Sequence, residues 1–184
     1  MDKKDIVVSL RSRLCDDRFF HSLNVAEQAK KLALIYGEDE EKAYLAGLVH
    51  DCTKNTPPAE QLKIIENGGI HLSELEKNSK KLWHAISGSV FIQSEYGIDD
   101  NDIISAVRYH TTGKADMSML EKIVYTADFT SKERDYKEVD EIRFLAETDI
   151  DKAVFEGARF TVESLEKRGL AVHPDTIDAM NFYK

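Results

Sequence analysis

The chain has 184 residues, with 25 Lys and Arg against 34 Asp and Glu, a formal net charge of −9 and 42% hydrophobic residues. This length and apolar content suit one domain, residues 1–184, around one sizeable core. The acidic balance argues against nucleic acid polymers and anionic membranes as partners, since both need a basic face. A phosphate-bearing small molecule stays open, because a metal ion or a few placed Lys and Arg neutralise its charge.

The N-terminus, MDKKDIVVSLRSRL, has a basic start but no sustained apolar stretch, so it does not read as a signal peptide. Asp16 and Asp17 are placed to cap a helix through FFHSLNVAEQAKKLALIY that stops at Gly37. Asp39 starts the next, EEKAYLAGLVHD, which ends before Pro57-Pro58. AEQLKIIEN follows up to Gly68-Gly69, then HAISGSVFIQSEY up to Gly97 and DIISAVRYH up to Gly113. SMLEKIVYTADFT and a late helix from about Ile150 to Arg168, closed by Gly169, complete the set. No alternating β pattern, repeat, linker or run of membrane-spanning length interrupts it. The pattern predicts an all-α fold, a compact multi-helix bundle. The two cysteines, Cys15 and Cys52, form no CxxC pair, which points to a reducing compartment and a cytoplasmic protein.

An amphipathic helix keeps ionisable groups off its buried stripe. Several break that rule here. His21 lies on the stripe of Val25, Ala29 and Leu32, and His50 shares a face with the small residues Ala43, Ala46 and Gly47. His110 follows Ile103 and Val107, Asp128 follows Leu120 and Val124, and His84 begins a largely apolar helix. Singly, each reads as a hydrogen-bonded core residue. Together they imply a shared cation, because a buried carboxylate needs a compensating charge. His50-Asp51 is the sharpest local signal. Neighbours in a helix point about 100° apart, so the pair reaches one ion only at a helix end. His21 and Asp128 would add ligands from two further helices.

His21, the His50-Asp51 pair and Asp128 resemble the ligand pattern of the HD superfamily of metal-dependent phosphohydrolases. RFFHSLNVAEQAKKLA, LAGLVHDCTKN, HAISGSVFIQSEYGI, AVRYHTTG and VYTADFTSKERDY are similar to the YqeK family, with a looser match at GLAVHPDTIDAMN. The resemblance implies an HD-type fold, iron as cofactor, and symmetrical hydrolysis of diadenosine tetraphosphate to two ADP. It also implies a second-metal or phosphate-binding place for His84 and His110, and a basic position near the nucleotide at Arg134.

Hydrolysis of a phosphoanhydride needs a nucleophilic water and charge neutralisation on the phosphoryl oxygens. The expected metal ligands are His21, His50, Asp51 and Asp128, and hydroxide on the metal would attack a central phosphate. Mixed imidazole and carboxylate ligands suit iron, manganese, cobalt or zinc, as one ion or two. Asp51, His84 and His110 are the candidate catalytic residues; the two His contact phosphate oxygens, protonate the leaving group or complete a second metal site. Arg18, Lys54, Thr111 and Arg134 are the remaining phosphate or nucleotide candidates. The bland alternatives are an Arg18 ion pair with Asp17 or Glu38, solvated charges at Lys54 and Arg134, and a plain helix end at Thr111. Cys52 reads as a small buried filler, His71 and His173 as loop or surface residues, and KNSKK at 77–81 as a solvated face.

The competing functions are another HD nucleotide phosphohydrolase, such as a nucleotidase, and a non-catalytic helical signalling module. A cyclic-dinucleotide phosphodiesterase should carry a downstream GYP motif, and an alarmone hydrolase an acidic pair where this chain has CTKN. A homodimer stays open, although no heptad run argues for one.

Overall fold

The computed structural model describes residues 1–184, without a β-strand. Its helices are α1 (Lys3–Arg13), α2 (Asp16–Tyr36), α3 (Glu40–Val49), α4 (Pro58–Asn67), α5 (Glu74–Asn78), α6 (Trp83–Ser94), α7 (Asn101–Tyr109), α8 (Met119–Thr130), α9 (Val139–Thr148), α10 (Ile150–Lys167) and α11 (Pro174–Phe182). All seven expected helices are present. α1, α5, α9 and α11 are additional to the helices that the sequence pattern predicts.

Local chemistry sets the boundaries. Asp39 accepts from the amides of Glu41 and Lys42 at the start of α3, and Asp100 does the same for Asp102 and Ile103 at α7. Ser118 and Glu121 close a capping box at α8. Asp16 and Asp17 are not caps: the N-cap of α2 is Cys15, and the two aspartates occupy the first turn, where their charge favours the helix dipole. Gly37 ends α2 at φ 69°, a left-handed geometry that favours glycine. α3 stops at Val49, so His50 caps its C-terminus and Asp51 lies in the following turn rather than in the helix.

One cluster of 29 buried apolar residues joins α1, α2, α3, α6, α7, α8, α9 and α10. Leu10, Leu32, Leu48 and Ile92 are all fully buried, each contributing about 1.5–3 kcal/mol by leaving water. α2 packs on α3 and α8, and α7 on α6 and α8. The α2–α3 contact is close because Gly47 has no side chain: a Cβ there would lie 2.9 Å from Ala26 Cα. That approach brings the His21 helix against the His50 helix. No helix is long and apolar enough to cross a membrane.

Candidate metal centre

Five elements deliver the site. α2 buries His21 on the stripe that also buries Val25, Ala29 and Leu32. α3 and α7 each end in a histidine, His50 and His110, as their C-caps. His84 is in the first turn of α6, and Asp128 in the last turn of α8. The C-termini of α3, α7 and α8 therefore meet, and the negative ends of three helix dipoles favour a cation between them. The 51–56 turn is fastened from both sides: Thr53 Oγ1 donates to His84 O at 2.8 Å, and Gln61 Nε2 donates to Thr53 O and Thr56 O at 3.2 and 2.7 Å.

Asp51 is the hub. Its Oδ2 lies 3.1 Å from Arg18, 3.6 Å from His50 Nε2 and 4.0 Å from His21 Nε2. Its Oδ1 lies 3.2 Å from His84 Nε2, 3.4 Å from Lys54 Nζ and 3.6 Å from His110 Nε2. His21 Nε2 is 3.0 Å from Asp128 Oδ1. The backbone fixes two of the rings: His50 Nδ1 donates to Gly47 O at 2.7 Å and His110 Nδ1 to Val107 O at 2.8 Å. Each then turns its Nε2 lone pair inward. His21 Nε2, His50 Nε2 and Asp51 Oδ1 are buried without a hydrogen-bond partner. Ligand atoms of His21, His50 and Asp51 all lie within 4.8 Å of one another, as do those of Asp51, His84 and His110, and of His50, His110 and Asp128. Lone pairs crowded in this way repel unless a proton or a metal ion sits among them. The donor set fits a divalent metal.

The electrostatics of His50, His84, Asp51 and Asp128 point the same way. Burial drives the His50 ring down to about 3 and the His84 ring down to about 4, so both are neutral near pH 7, the state in which imidazole ligates. Burial pushes the Asp51 carboxyl up, but His50, then His110 and His84, pull it well below the usual carboxylate range. For Asp128, burial is likewise outweighed, by His21 first, then His50 and Arg134. His21 is lowered by burial yet raised overall by Asp128 and Glu133. Burial pushes the Cys52 thiol to about 12, so Cys52 is a filler beside His50 and Asp51 and no thiolate.

The HD domain family model matches residues 18–133, which span every residue of this cluster. The chain belongs to the HD-domain family. Over 182 residues it is 36% identical to a symmetrical bis(5'-nucleosyl)-tetraphosphatase of Bacillus subtilis (strain 168), covering 99% of this chain and 97% of that protein. A protein of the same name from Staphylococcus aureus (strain NCTC 8325 / PS 47) is 34% identical over 175 residues, covering 94% and 90%. A crystal structure of a "predicted HD superfamily hydrolase involved in NAD metabolism" from Clostridium acetobutylicum superimposes with a TM-score of 0.97 at 38% identity, covering all of this chain and 97% of that one.

Within this HD domain, His21, His50, Asp51, His84, His110 and Asp128 gather in one place, as do the polar candidates Lys54 and Thr111. Lys54 Nζ donates to His84 Nε2 at 2.9 Å, and Thr111 Oγ1 lies 3.3 Å from His84 Nε2 and 3.1 Å from His110 Nε2. Arg18 pairs with Asp51 and not with Asp17 or Glu38. Arg134 is held on Asp128, through Nε to the backbone oxygen at 2.8 Å and through its guanidinium to the carboxylate. His173 is not a loose surface residue: it caps α11, and its Nε2 lies 3.7 Å from Glu76. Sequence reasoning missed Glu133, which bonds His21 from the SKERDY segment. A charge run reads as solvent-facing, and nothing in its spacing singles Glu133 out.

Proposed function

We propose that this HD-domain protein is a metal-dependent hydrolase that splits diadenosine tetraphosphate symmetrically into two ADP. One observation carries the reading. His21 Nε2, His50 Nε2 and Asp51 Oδ1 are buried and unpartnered, and ligand atoms of the three residues lie within 4.8 Å of one another, in a chain matched almost end to end by proteins named for that reaction. His21, His50, Asp51 and Asp128 would hold the metal, and Asp51 with His84 and His110 supplies the donors for a second ion. The ligand types suit iron, which we assign as the resident metal, and they also accept manganese or cobalt. Residues 1–184 act as one unit in this reading, with a single large core beneath the site.

When bound, the metal supplies positive charge against the phosphoryl oxygens and acidifies water near neutral pH. The chain's own groups do the rest. Water adds to one central phosphorus, the anhydride bond between the two central phosphates breaks, and the bridging oxygen leaves on the other ADP. Arg18 and Lys54, on opposite sides of Asp51, offer cationic donors to the phosphate oxygens. Burial keeps His84 neutral, so it is not the group that protonates the departing phosphate. Lys54, 2.9 Å away, is the proton-bearing neighbour for the departing phosphate. The Thr111 hydroxyl adds a polar group beside His84 and His110.

Purified protein supplied with Fe2+ or Mn2+ should convert diadenosine tetraphosphate to ADP alone, read by ion-exchange chromatography. ATP plus AMP would overturn the symmetrical cut. Turnover of nucleoside monophosphates in its place would favour a nucleotidase.

A further inference from the structure

His21 differs from the other inward-facing rings in what holds its Nδ1. The Nδ1–H groups of His50 and His110 donate to backbone carbonyls within their own helices, Gly47 O and Val107 O. The Nδ1–H of His21 donates instead to a carboxylate, Glu133 Oε1, from the turn after α8. That carboxylate is itself pinned. Asn24 Nδ2 donates to Glu133 Oε2 at 2.7 Å, and Ser131 Oγ donates to Oε1 at 2.8 Å. The turn is clasped from outside by Arg143 of α9, which donates to Thr130 O, Ser131 O and Arg134 O at 3.1, 3.0 and 2.8 Å. Arg134, the next residue, holds Asp128. One four-residue strap thus governs two of the proposed ligands, which come from different helices.

We infer that Glu133 is a positioning residue for the metal centre: it accepts the Nδ1 proton of His21, fixes the ring, and presents the Nε2 lone pair to the ion. This rests on the metal reading above. A ring held this way is a stronger donor, because the anion behind it raises electron density at the ligating nitrogen. A surface ion pair would not show the same convergence. Both Glu133 oxygens are engaged, by side chains on α2 and on the strap, and the side chain is only 37% exposed.

The test compares wild-type protein with Glu133→Ala and Glu133→Gln, using Zn2+ alone as the probe. Calorimetry reads metal affinity, and proton NMR of the zinc-loaded protein reads the His21 ring N–H. Wild-type protein should bind zinc and show a downfield, slowly exchanging His21 Nδ1–H. Glu133→Ala should bind about 10–100-fold more weakly and lose that resonance. Glu133→Gln keeps an acceptor oxygen without the charge, so it should restore most of the affinity and retain the resonance, shifted upfield. Wild-type protein that binds no zinc overturns the metal reading and this inference with it. If wild-type protein binds zinc, equal affinity and an unchanged ring N–H in Glu133→Ala overturn the inference alone. Should Glu133→Ala fail to fold, the isosteric Gln variant decides: an unmoved ring N–H there overturns the role of the carboxylate.

Discussion

Asp51 Oδ1 lies 3.2 Å from His84 Nε2, so the turn that ends α3 and the first turn of α6 meet at one carboxylate. The other oxygen of Asp51 faces Arg18, His50 and His21. A single buried side chain is thereby shared by two groups of potential ligands. Asp51→Asn keeps the shape but removes the charge and turns one acceptor into a donor. We expect turnover to fall at least about a hundredfold, with the helical circular dichroism unchanged. An Asn variant that cleaves at the wild-type rate would remove Asp51 from the mechanism.

Metal removal should show in stability as well as in activity. His21, His50 with Asp51, and Asp128 come from α2, the end of α3, and α8, so an ion there cross-links three elements. At a free metal concentration of about 100 times Kd, binding to the folded state alone adds about 2.7 kcal/mol. For a chain of this size that raises Tm by about 5–10 °C. Chelated protein should melt lower by that amount, regain it with Fe2+ or Mn2+, and show no gain in His50→Ala.

The core helices were legible because their stripes are clean and their ends are signed. Gly37, Gly97, Gly113 and Gly169 all adopt positive φ where the sequence places helix ends. The missed helices lack those signs or carry a conflicting one. α9 buries Val139, Ile142 and Ala146, but Phe144 on the same helix is 66% exposed and blurs the stripe. α1 buries only Ile6 and Leu10, a stripe too short to stand out among the charges of MDKKDIVVSLRSRL. His21, His50, His84, His110 and Asp128 were legible as exceptions on apolar faces, and Asp51 as the neighbour of His50. Glu133 and the Arg18–Asp51 pair were not, since a long-range partner leaves no mark in local spacing.

A pH dependence of folding is expected away from the metal centre, at Glu76. Arg108 of α7 donates to Glu76 Oε1 at 2.7 Å, tying α5 to the bundle. Burial pushes the Glu76 carboxyl up, but hydrogen bonds from Ser73 and the Arg108 guanidinium hold it below its ordinary value of 4.5. A carboxyl with a depressed folded-state pKa stabilises fully above its unfolded value, and that contribution is lost as pH falls through the folded one. Chelated wild-type protein should therefore lose stability below about pH 4.5 more steeply than Glu76→Gln. At neutral pH the Gln variant should be less stable by about 1.5–3 kcal/mol in urea titrations. Parallel acid limbs would show that the pair adds nothing.

Gly47 couples the packing of α2 and α3 to the spacing of His21 and His50. A Cβ at this position would meet Ala26 Cα at 2.9 Å and Val25 O at 3.0 Å. Both contacts are backbone, so relief requires moving α2 as a body. Overpacking of this kind costs about 1–3 kcal/mol, against a gain of about 0.8–1 kcal/mol from replacing glycine by alanine inside a helix. Any shift of α2 carries His21 away from His50, and Gly47 O is also the acceptor that sets the His50 ring. Gly47→Ala should therefore lower the melting temperature of chelated protein by a few degrees, about 1 kcal/mol or more, and weaken metal binding as well. At Gly88 the nearest atom to an added Cβ is the Val107 Cγ1 side-chain methyl at 3.3 Å, a contact that needs a shift of only a few tenths of an ångström and no movement of backbone. Gly88→Ala should accordingly be the milder change in both measurements. If the two variants bound metal equally well, the α2–α3 approach would not be what sets the His21–His50 geometry.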